Sequence, residues 1–437
     1  MAARLRTDED RQVVKAAARP SLLIASASTR SLAEATAQVG IEPICADFFR
    51  DADLLEVLQR SGGRYLGTME SFTDLPSLCE LVDRSVPVLC GGGIENWPEV
   101  LERLTRQRPV LNASAESIRR VRDVPEIFSL LSTMNVRTAE SVSANNGDLL
   151  AGEWIWKPTR GSGGIGILQH MPCAETRASA DYYCQRMVEG VPLSATWVAD
   201  NEDVSLLGVA AQCVGWRSLN ADEFQYCGTS GCLILPEELA VELMHVGRSI
   251  VAASGLRGVF GADFILSDGR MTLIEVNPRL TATHSVCAAH GRSPLKEHVA
   301  VLTGVNGASF PGREPNQEGK AVWPVAEFVL YAAHDVRIDR GWIPAERWWI
   351  NAQRQVQRPD GVWFADIPAA GQPVRAGEPL CSLIFGVDPL RVVGDAPSAA
   401  DWPTSLLSHL DPESLRAQLE WHRERRRSEL PRGVVLP

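Results

Sequence analysis

Two stretches of this chain hold residue types at spacings that suit chemistry on phosphates. In Trp154-Ile-Trp-Lys-Pro-Thr-Arg-Gly-Ser-Gly-Gly-Ile-Gly-Ile167 a short apolar strand ends in Lys157 and opens into a glycine-rich loop. A lysine ammonium is a mobile point charge with rotatable donors, well matched to a phosphate. Lys157 is one of only four lysines in a chain that otherwise uses arginine. The loop offers the backbone amides of Gly161, Ser162, Gly163 and Gly164, and glycine lets such a backbone approach a ligand closely. In Gly261-Ala-Asp-Phe-Ile-Leu-Ser-Asp-Gly-Arg-Met-Thr-Leu-Ile-Glu-Val-Asn-Pro-Arg279 two carboxylates, Asp263 and Glu275, sit in apolar runs joined by the turn signal Ser267-Asp-Gly269. Folded back, the strands bring both carboxylates to one face, and Asn277 joins them two residues on. Buried carboxylates need a partner, and hard oxygens grouped this way suit magnesium, with manganese as a substitute. A cation beneath a glycine loop, facing a divalent-metal site, is the equipment needed to hold ATP.

Each feature also has a plainer reading. The loop can be a hairpin turn without a ligand, Lys157 a solvated strand-end residue, and the carboxylates can be satisfied by Arg257 or Arg279. The loop is not a Walker loop, because no Gly-Lys-Ser/Thr follows the glycines. It is not a dinucleotide fingerprint either, since the lysine comes first and no helix pattern follows.

Taken together, the lysine, the glycine loop and the run Glu275-Val-Asn-Pro-Arg279 resemble the ATP-grasp family over about Asn112 to Leu302. The resemblance implies a nucleotide held between two α+β subdomains. It also implies an enzyme that joins a carboxylate to an amine through an acyl phosphate. Residue by residue, it implies Lys157 as the phosphate lysine and Asp263, Glu275 and Asn277 as metal ligands. Arg279 would face the reacting phosphate or substrate. Gln185-Arg-Met-Val-Glu-Gly190 matches the hinge strand whose backbone reads adenine, with Gln185, Arg186 and Val188 as contacts; Gln185 stands where a glutamate is commoner, and its side-chain carbonyl is an acceptor for the adenine amino group. Pro192 stands where a ribose-binding glutamate is common, leaving Glu189 as a substitute. Arg119, Arg120 and Arg122 compete for the basic position that opens the nucleotide domain.

A narrower resemblance covers more of the chain. Ser26-Ala-Ser-Thr-Arg-Ser-Leu-Ala-Glu34, Ala46-Asp-Phe-Phe-Arg-Asp-Ala-Asp53 and Gly91-Gly-Gly-Ile-Glu-Asn-Trp-Pro98 are similar to bacterial ATP-grasp proteins linked to tetrahydromethanopterin and methanofuran one-carbon metabolism. Relatives of that group include tyramine–glutamate ligase. This implies addition of glutamate or another amino acid to a cofactor precursor. The run from Asn277 to His284 resembles that of biotin carboxylases, with Thr283 in place of a glutamate. A carboxylase acting on bicarbonate is therefore the second enzymatic reading, and a nucleotide-binding regulator without turnover is a third. His284 either orients substrate or caps the segment that follows it.

Composition bounds these readings. The chain has 437 residues, 45% of them hydrophobic, 22% charged, with a net charge of −11. That length suggests two or three domains with real cores. The acidic balance argues against a nucleic-acid footprint and requires a local positive field for a nucleotide, from Lys157, Arg160 and Arg279. No apolar run is long enough for a membrane span, and the first twenty residues do not read as a secretory signal. The ten cysteines show no Cys-x-x-Cys pair and read as reduced, buried small hydrophobes in a cytoplasmic protein. The expected partners are small-molecule carboxylate and amine substrates, and the resemblance allows a homodimer.

The patterning divides the chain into three. Residues 1–112 alternate short strands (Ser21–Ala25, Ile41–Cys45, Val86–Cys90, Pro109–Leu111) with helices (Leu32–Val39, Asp53–Leu58, Trp97–Leu104), predicting a Rossmann-like α/β domain ahead of the nucleotide domain. Ser26-Ala-Ser-Thr-Arg30 follows the first strand as a capped turn or an anion site. Residues 113–304 predict the ATP-grasp domain. A capping box at Asp123-Val-Pro-Glu126 starts a helix to Met134, and Pro236 starts another that ends at Gly255. The polar stretch Ser218–Thr229 is expected as a loop near the site mouth. Residues 305–437 read as a small C-terminal β-rich domain. It comprises a loop to Lys320, a strand Ala321–Tyr331, a β segment Trp363–Ile384 without the Met-Lys pair of a biotin or lipoate acceptor, and a terminal helix Asp411–Leu430. The expected fold class is α/β and α+β.

Overall fold

A computed structural model describes residues 19–144, 153–169, 181–201, 203–233, 235–288, 292–304, 326–338 and 362–385. At the N-terminus the apolar runs form a parallel sheet of β1 (Ser21–Ala25), β2 (Glu42–Asp47), β3 (Arg64–Thr68) and β4 (Val88–Cys90), in the order β3-β2-β1-β4. Crossovers are supplied by α1 (Arg30–Gln38), α2 (Ala52–Ser61) and the short α3 (Leu75–Cys79), and α4 (Pro98–Thr105) follows β4. The order places the C-terminal ends of β1, β2 and β4 on one edge, where the three motifs at 26–34, 46–53 and 91–98 emerge. Strand β3 carries no fully buried side chain, so its edge position left no apolar signal. The candidate strand Pro109–Leu111 makes only one bridge, Val110 to Val88.

Two capped helices lead to the second part. Ser114 accepts from the Ser117 N–H at the start of α5 (Ala115–Arg122), and Asp123 accepts from the Glu126 N–H at the start of α6 (Val124–Thr133). Next comes a small antiparallel sheet of β5 (Ser141–Ser143), β6 (Trp154–Pro158) and β7 (Tyr182–Arg186), in the order β5-β7-β6. The larger sheet has eight strands in the order β12-β11-β8-β9-β10-β13-β17-β15. Its members are β8 (Val191–Ala199), β9 (Val204–Val214), β10 (Tyr226–Gly231), β11 (Gly258–Ser267), β12 (Arg270–Asn277), β13 (Ala326–Tyr331), β15 (Val362–Ala365) and β17 (Pro379–Phe385). The described strands of the third part therefore extend the sheet of the second; only β14 (Val336–Arg337) and β16 (Pro373–Val374) pair separately.

Helix α7 (Glu237–Ser254) lays Leu239, Leu243, Val246 and Ile250 on this sheet and ends at Gly255 with φ +72°. Its Gly247 permits the close approach: a Cβ there would stand 2.7 Å from Trp197 Nε1. Trp197 is fully buried, stacked on Phe260 at 5.4 Å and edge-on to Phe264 at 6.2 Å. Helices α8 (Thr283–Ala288) and α9 (Pro294–Thr303) close the second part. The nine cysteines among the described residues are free and buried. Among the described residues no helix is long and apolar enough to cross a membrane. The expected loop to Lys320 and the terminal helix Asp411–Leu430 lie outside the described residues.

Candidate functional site

The hairpin β11–β12 is closed by Asp268 and Gly269, both at positive φ (49° and 72°), the geometry of a two-residue turn. This register sets Asp263 opposite Glu275 and Gly261 opposite Asn277. The pairing then slips: Asp263 faces Glu275 but Phe264 faces Leu273, so Ile274 is an extra residue on β12. A bulged residue leaves the one-to-one ladder. The Ile274 carbonyl accepts instead from Lys157 Nζ at 3.4 Å and Gln185 Nε2 at 3.1 Å. The bulge thus couples β12, which carries Glu275 and Asn277, to the strands that carry Lys157 and Gln185.

Asp263 is the inner carboxylate. Its Oδ1 accepts from Gln212 Nε2 at 2.9 Å and its Oδ2 from Asn277 Nδ2 at 3.0 Å. Burial, then the adjacent Glu275, pushes its carboxyl up to about 6. Glu275 is the outer carboxylate, paired with Arg122 Nη1 at 3.2 Å. The expected alternatives for this pairing, Arg257 and Arg279, are engaged elsewhere: Arg257 donates to the Val301 carbonyl and Arg279 pairs with Glu95. With its amide donating to Asp263, Asn277 presents its carbonyl oxygen beside the two carboxylates. That donor set fits magnesium or manganese, which take hard oxygens. Among the described residues no cluster of three His, Cys, Asp or Glu side chains supplies an alternative.

Lys157 is buried rather than solvated. Its Nζ donates to Gln185 Oε1 at 3.3 Å and lies 5.9 Å from the Tyr183 ring. Burial opposes its charge, but Tyr183, Glu275 and Asp263 outweigh burial and hold the ammonium protonated. The same contacts hold Gln185. Its carbonyl accepts from Lys157 Nζ and its amide serves Ser141 Oγ (3.1 Å) and the Ile274 carbonyl, so the side chain braces the site from within. The Arg186 side chain is turned outward, to Glu140 at 2.9 Å and over the Trp154 ring at 4.8 Å. Val188 and the exposed Glu189 lie in the irregular hinge between β7 and β8, and Pro192 sits opposite Ile265 within the sheet.

The glycine loop returns to β6 through reciprocal backbone bonds between Trp156 and Leu168. Gly163, Gly164 and Gly166 take φ of 64°, 76° and 80°. Gly164 rests on the 222–226 segment so closely that a Cβ would come within 1.8 Å of the Phe224 carbonyl, and Tyr226 N–H donates to the Gly163 carbonyl at 2.9 Å. Ser162 is exposed at the rim. The polar stretch Ser218–Thr229 is thus the seat of the glycine loop, and its last residues belong to β10 rather than to a loop.

Of the three competing arginines, Arg122 enters the site. Its Nη2 donates to the carbonyls of Thr159 (2.8 Å) and Gly161 (3.3 Å) and to Asn96 Oδ1 (3.1 Å), while Nη1 meets Glu275. Arg119 and Arg120 make exposed pairs with Glu102 and Glu116. The N-terminal sheet contributes through the 91–98 motif. Asn96 Nδ2 reaches the Gly161 carbonyl at 3.4 Å, and buried Glu95 pairs with Arg279 Nε at 2.8 Å and accepts from Gly93 N–H at 2.8 Å. His284 is buried with both nitrogens in use: Nδ1 donates to the Thr281 carbonyl (2.8 Å) and Nε2 accepts from Ser31 Oγ (2.9 Å). Burial lowers its basicity, which fits the capping reading. Gln212, Glu95 and Asn96 were not anticipated. Their signals were a glutamine inside the apolar strand β9 and an acid–amide pair one residue after three glycines.

Residues 121–283 match the protein family described as ATP-grasp domain, a span that includes Lys157, the glycine loop, Asp263, Glu275, Asn277 and Arg279. The fold is ATP-grasp. Biotin carboxylase from Campylobacter jejuni superposes with a TM-score of 0.59 at 15% identity, covering 86% of this chain and 89% of that one. N5-carboxyaminoimidazole synthetase from Staphylococcus aureus, solved with ADP, gives 0.58 at 12% identity, covering 86% and 95%. The biotin carboxylase domain dimer of Hydrogenobacter thermophilus 2-oxoglutarate carboxylase, solved with MgADP and bicarbonate, gives 0.58 at 13%, covering 85% and 88%. The arginine-specific large chain of carbamoyl phosphate synthase from Geobacillus stearothermophilus is 21% identical over 242 residues, 52% of this chain. The chain spans 23% of that curated relative's length. The span that matches this family thus carries all the candidate ligands, while Glu95 and Asn96 reach it from the sheet that precedes it.

Proposed function

We propose that this chain is an ATP-dependent ligase that activates a carboxylate as an acyl phosphate and joins it to an amine, releasing ADP and phosphate. The observation that carries the reading is the convergence of protonated Lys157 with Asp263, Glu275 and Asn277 across the Ile274 bulge. Magnesium held by the two carboxylates and the Asn277 carbonyl would neutralise phosphate oxygens. Lys157 supplies a fixed positive charge toward the same phosphates, and Arg122 ties the glycine loop to the ligand strand. Charge placed in advance where negative charge develops is a large term in phosphoryl transfer. The glycine loop, seated on the 222–226 segment, excludes water that would hydrolyse an acyl phosphate. Arg279 is held by Glu95 at the boundary with the N-terminal sheet, and in this reading it would face the reacting phosphate or the substrate.

The finer assignment is addition of glutamate or another amino acid to the precursor of a one-carbon carrier, and it rests on the resemblance of the three N-terminal motifs. A second reading, activation of bicarbonate, is favoured by the carboxylase activities named for the structural neighbours. Against it stands Thr283 at the position of the carboxylases' glutamate. The test is to incubate the protein with ATP, magnesium and pools of acids and amines while following ADP. The expected products are ADP and phosphate, with a hydroxamate of the acid when hydroxylamine is added, in an amount that falls as the natural amine is supplied. AMP and pyrophosphate as stoichiometric products would overturn the mechanism. ADP release that needs only bicarbonate would favour the second reading.

A further inference from the structure

The three N-terminal motifs meet the rest of the chain at two places. Ser26–Glu34 and Ala46–Asp53 meet its third part: Arg30 pairs with Asp366 at 2.8 Å and Glu327 at 3.2 Å, and Asp53 accepts from the Asp366 N–H at 2.9 Å. The motif at 91–98 is aimed at the glycine loop instead.

Four of the six residues Gly161–Gly166 are glycine. Such a backbone takes many conformations at little cost, so it cannot aim its own amides. Its direction is set by what grips its carbonyls. At the far end the Tyr226 N–H grips the Gly163 carbonyl. At the near end the Gly161 carbonyl accepts from Asn96 Nδ2 at 3.4 Å and from Arg122 Nη2 at 3.3 Å. The Gly161 carbonyl and the Ser162 N–H belong to one planar trans peptide and point opposite ways. Holding the carbonyl against Asn96 and Arg122 therefore turns the Ser162 N–H away from both.

Asn96 acts twice in this grip. Its Oδ1 accepts from Arg122 Nη2 at 3.1 Å, so one amide holds both the carbonyl and the guanidinium that shares it. Arg122 can only donate and the carbonyl can only accept, which fixes the way the amide faces. The backbone beneath it is firm. Asn96 ends the 3-10 turn Ile94–Asn96, its N–H donates to the Gly93 carbonyl at 3.2 Å, the Trp97 N–H donates to the Ile94 carbonyl at 2.8 Å, and Pro98 opens α4. Beside it, Arg160 lies over the Trp97 ring at 5.5 Å and 3.8 Å from Glu99. That exposed ion pair holds little by itself, but it sets the entry of the loop against the same turn.

We propose that Asn96 is a positioning residue for the glycine loop: from the N-terminal sheet it fixes, with Arg122, the Gly161–Ser162 peptide and so the aim of the Ser162 amide at a phosphate. That the phosphate belongs to ATP rests on the ligase reading; the fastening of the loop does not.

The test uses the full chain and the variants Asn96→Ala and Asn96→Asp. Trypsin cleavage at Arg160–Gly161 should quicken on the order of fivefold in Asn96→Ala, while cleavage after Arg248 within α7 keeps the wild-type rate. Calorimetric titration with MgATP should show a dissociation constant raised on the order of fivefold to tenfold. In turnover with pooled acids and amines, the loss should lie in KM for ATP rather than in kcat, because the amide meets the phosphates before and during transfer alike. Asn96→Asp keeps an acceptor for Arg122 but has no donor for Gly161, so it should behave as Asn96→Ala does. Unchanged cleavage at Gly161 in Asn96→Ala would overturn the proposal. So would equal acceleration at both sites, the mark of a general loss of stability, or wild-type behaviour of Asn96→Asp. If Asn96→Ala does not fold, Asn96→Asp decides by the same readings. The two readings stay apart: a loosened loop in a chain whose wild type binds no MgATP sinks only the ligase, and MgATP affinity untouched by either substitution sinks only the role of Asn96.

Discussion

At the scale of single residues the site is a balance of buried charges, and two substitutions probe it. Glu275→Gln keeps the shape of the side chain and an acceptor for Arg122 but removes one full charge beside the Asp263 carboxylate. ATP turnover should fall by about 10²–10³-fold with the thermal midpoint nearly unchanged. Steady-state ADP release near the wild-type rate would remove Glu275 from the ligand set. Lys157→Ala should do more than weaken ATP. The lysine is the last residue but one of its strand, where the pattern of Trp154–Lys157 places the strand's end, and its Nζ is buried on Gln185 and Ile274. Truncation leaves the Gln185 carbonyl without its donor, so a stability loss of about 1–3 kcal/mol should accompany the loss of nucleotide affinity. Denaturant unfolding beside a nucleotide titration reads both, and a variant with normal nucleotide affinity would make the lysine purely structural. Residue types and spacing made the gathering of Lys157, Asp263, Glu275 and Asn277 in one place legible. The roles of Gln185 and Arg122 were not, because each depends on which neighbour claims the side chain once strands from different parts of the chain meet.

At the scale of elements, helices and the β11–β12 hairpin follow from patterns that the chain carries locally. Asp123-Val-Pro-Glu126 starts α6, Gly255 stops α7, and Asp268-Gly269 turns the hairpin, each through the backbone preference of a few neighbouring residues. The bulge at Ile274 is of another kind: nothing in Met271–Val276 announces it, since it is a relation between two strands. The glycine loop combines both kinds. Its glycines were visible, whereas its seat on Phe224 was not. Gly164→Ala tests that seat, because a Cβ would enter the space of the Phe224 carbonyl and φ is +76°. Strain of about 1–3 kcal/mol should unseat the loop and cut kcat/KM for ATP on the order of tenfold or more, with little change in global unfolding. Unaltered kcat/KM would mean that the loop works away from this seat.

At the scale of the molecule, the N-terminal sheet is fastened to the elements that follow it at a few buried polar points. His298 of α9 is one: its Nδ1 accepts from Val259 N–H at 2.7 Å and its Nε2 donates to the Leu111 carbonyl at 3.0 Å. Burial lowers its pKa from 6.5 to about 4, so the folded protein keeps the ring neutral while the unfolded chain protonates it. The folded state then binds fewer protons between those values, and stability should be full above about pH 6.5 and decline toward pH 4, by about 3 kcal/mol for this group alone. His298→Gln should lower stability at pH 7.5 but remove that share of the slope, which urea unfolding at pH 7.5 and 5 would show as a smaller difference than in the wild type. An unchanged difference would mean that His298 is not the titrating group.

The eight-stranded sheet also has a consequence for the order in which the protein can be made. β10 pairs on one side with β9 and on the other with β13, whose residues follow about a hundred positions later. Until that strand leaves the ribosome, Tyr226–Gly231 is an open hydrogen-bonding edge and Arg30 lacks Glu327 and Asp366. Such non-local pairing is slow and leaves a template for wrong partners. A nascent or truncated chain ending before Ala326 would therefore hold every candidate nucleotide ligand yet face aggregation and proteolysis, because the part that holds the candidate site depends on the part that arrives last.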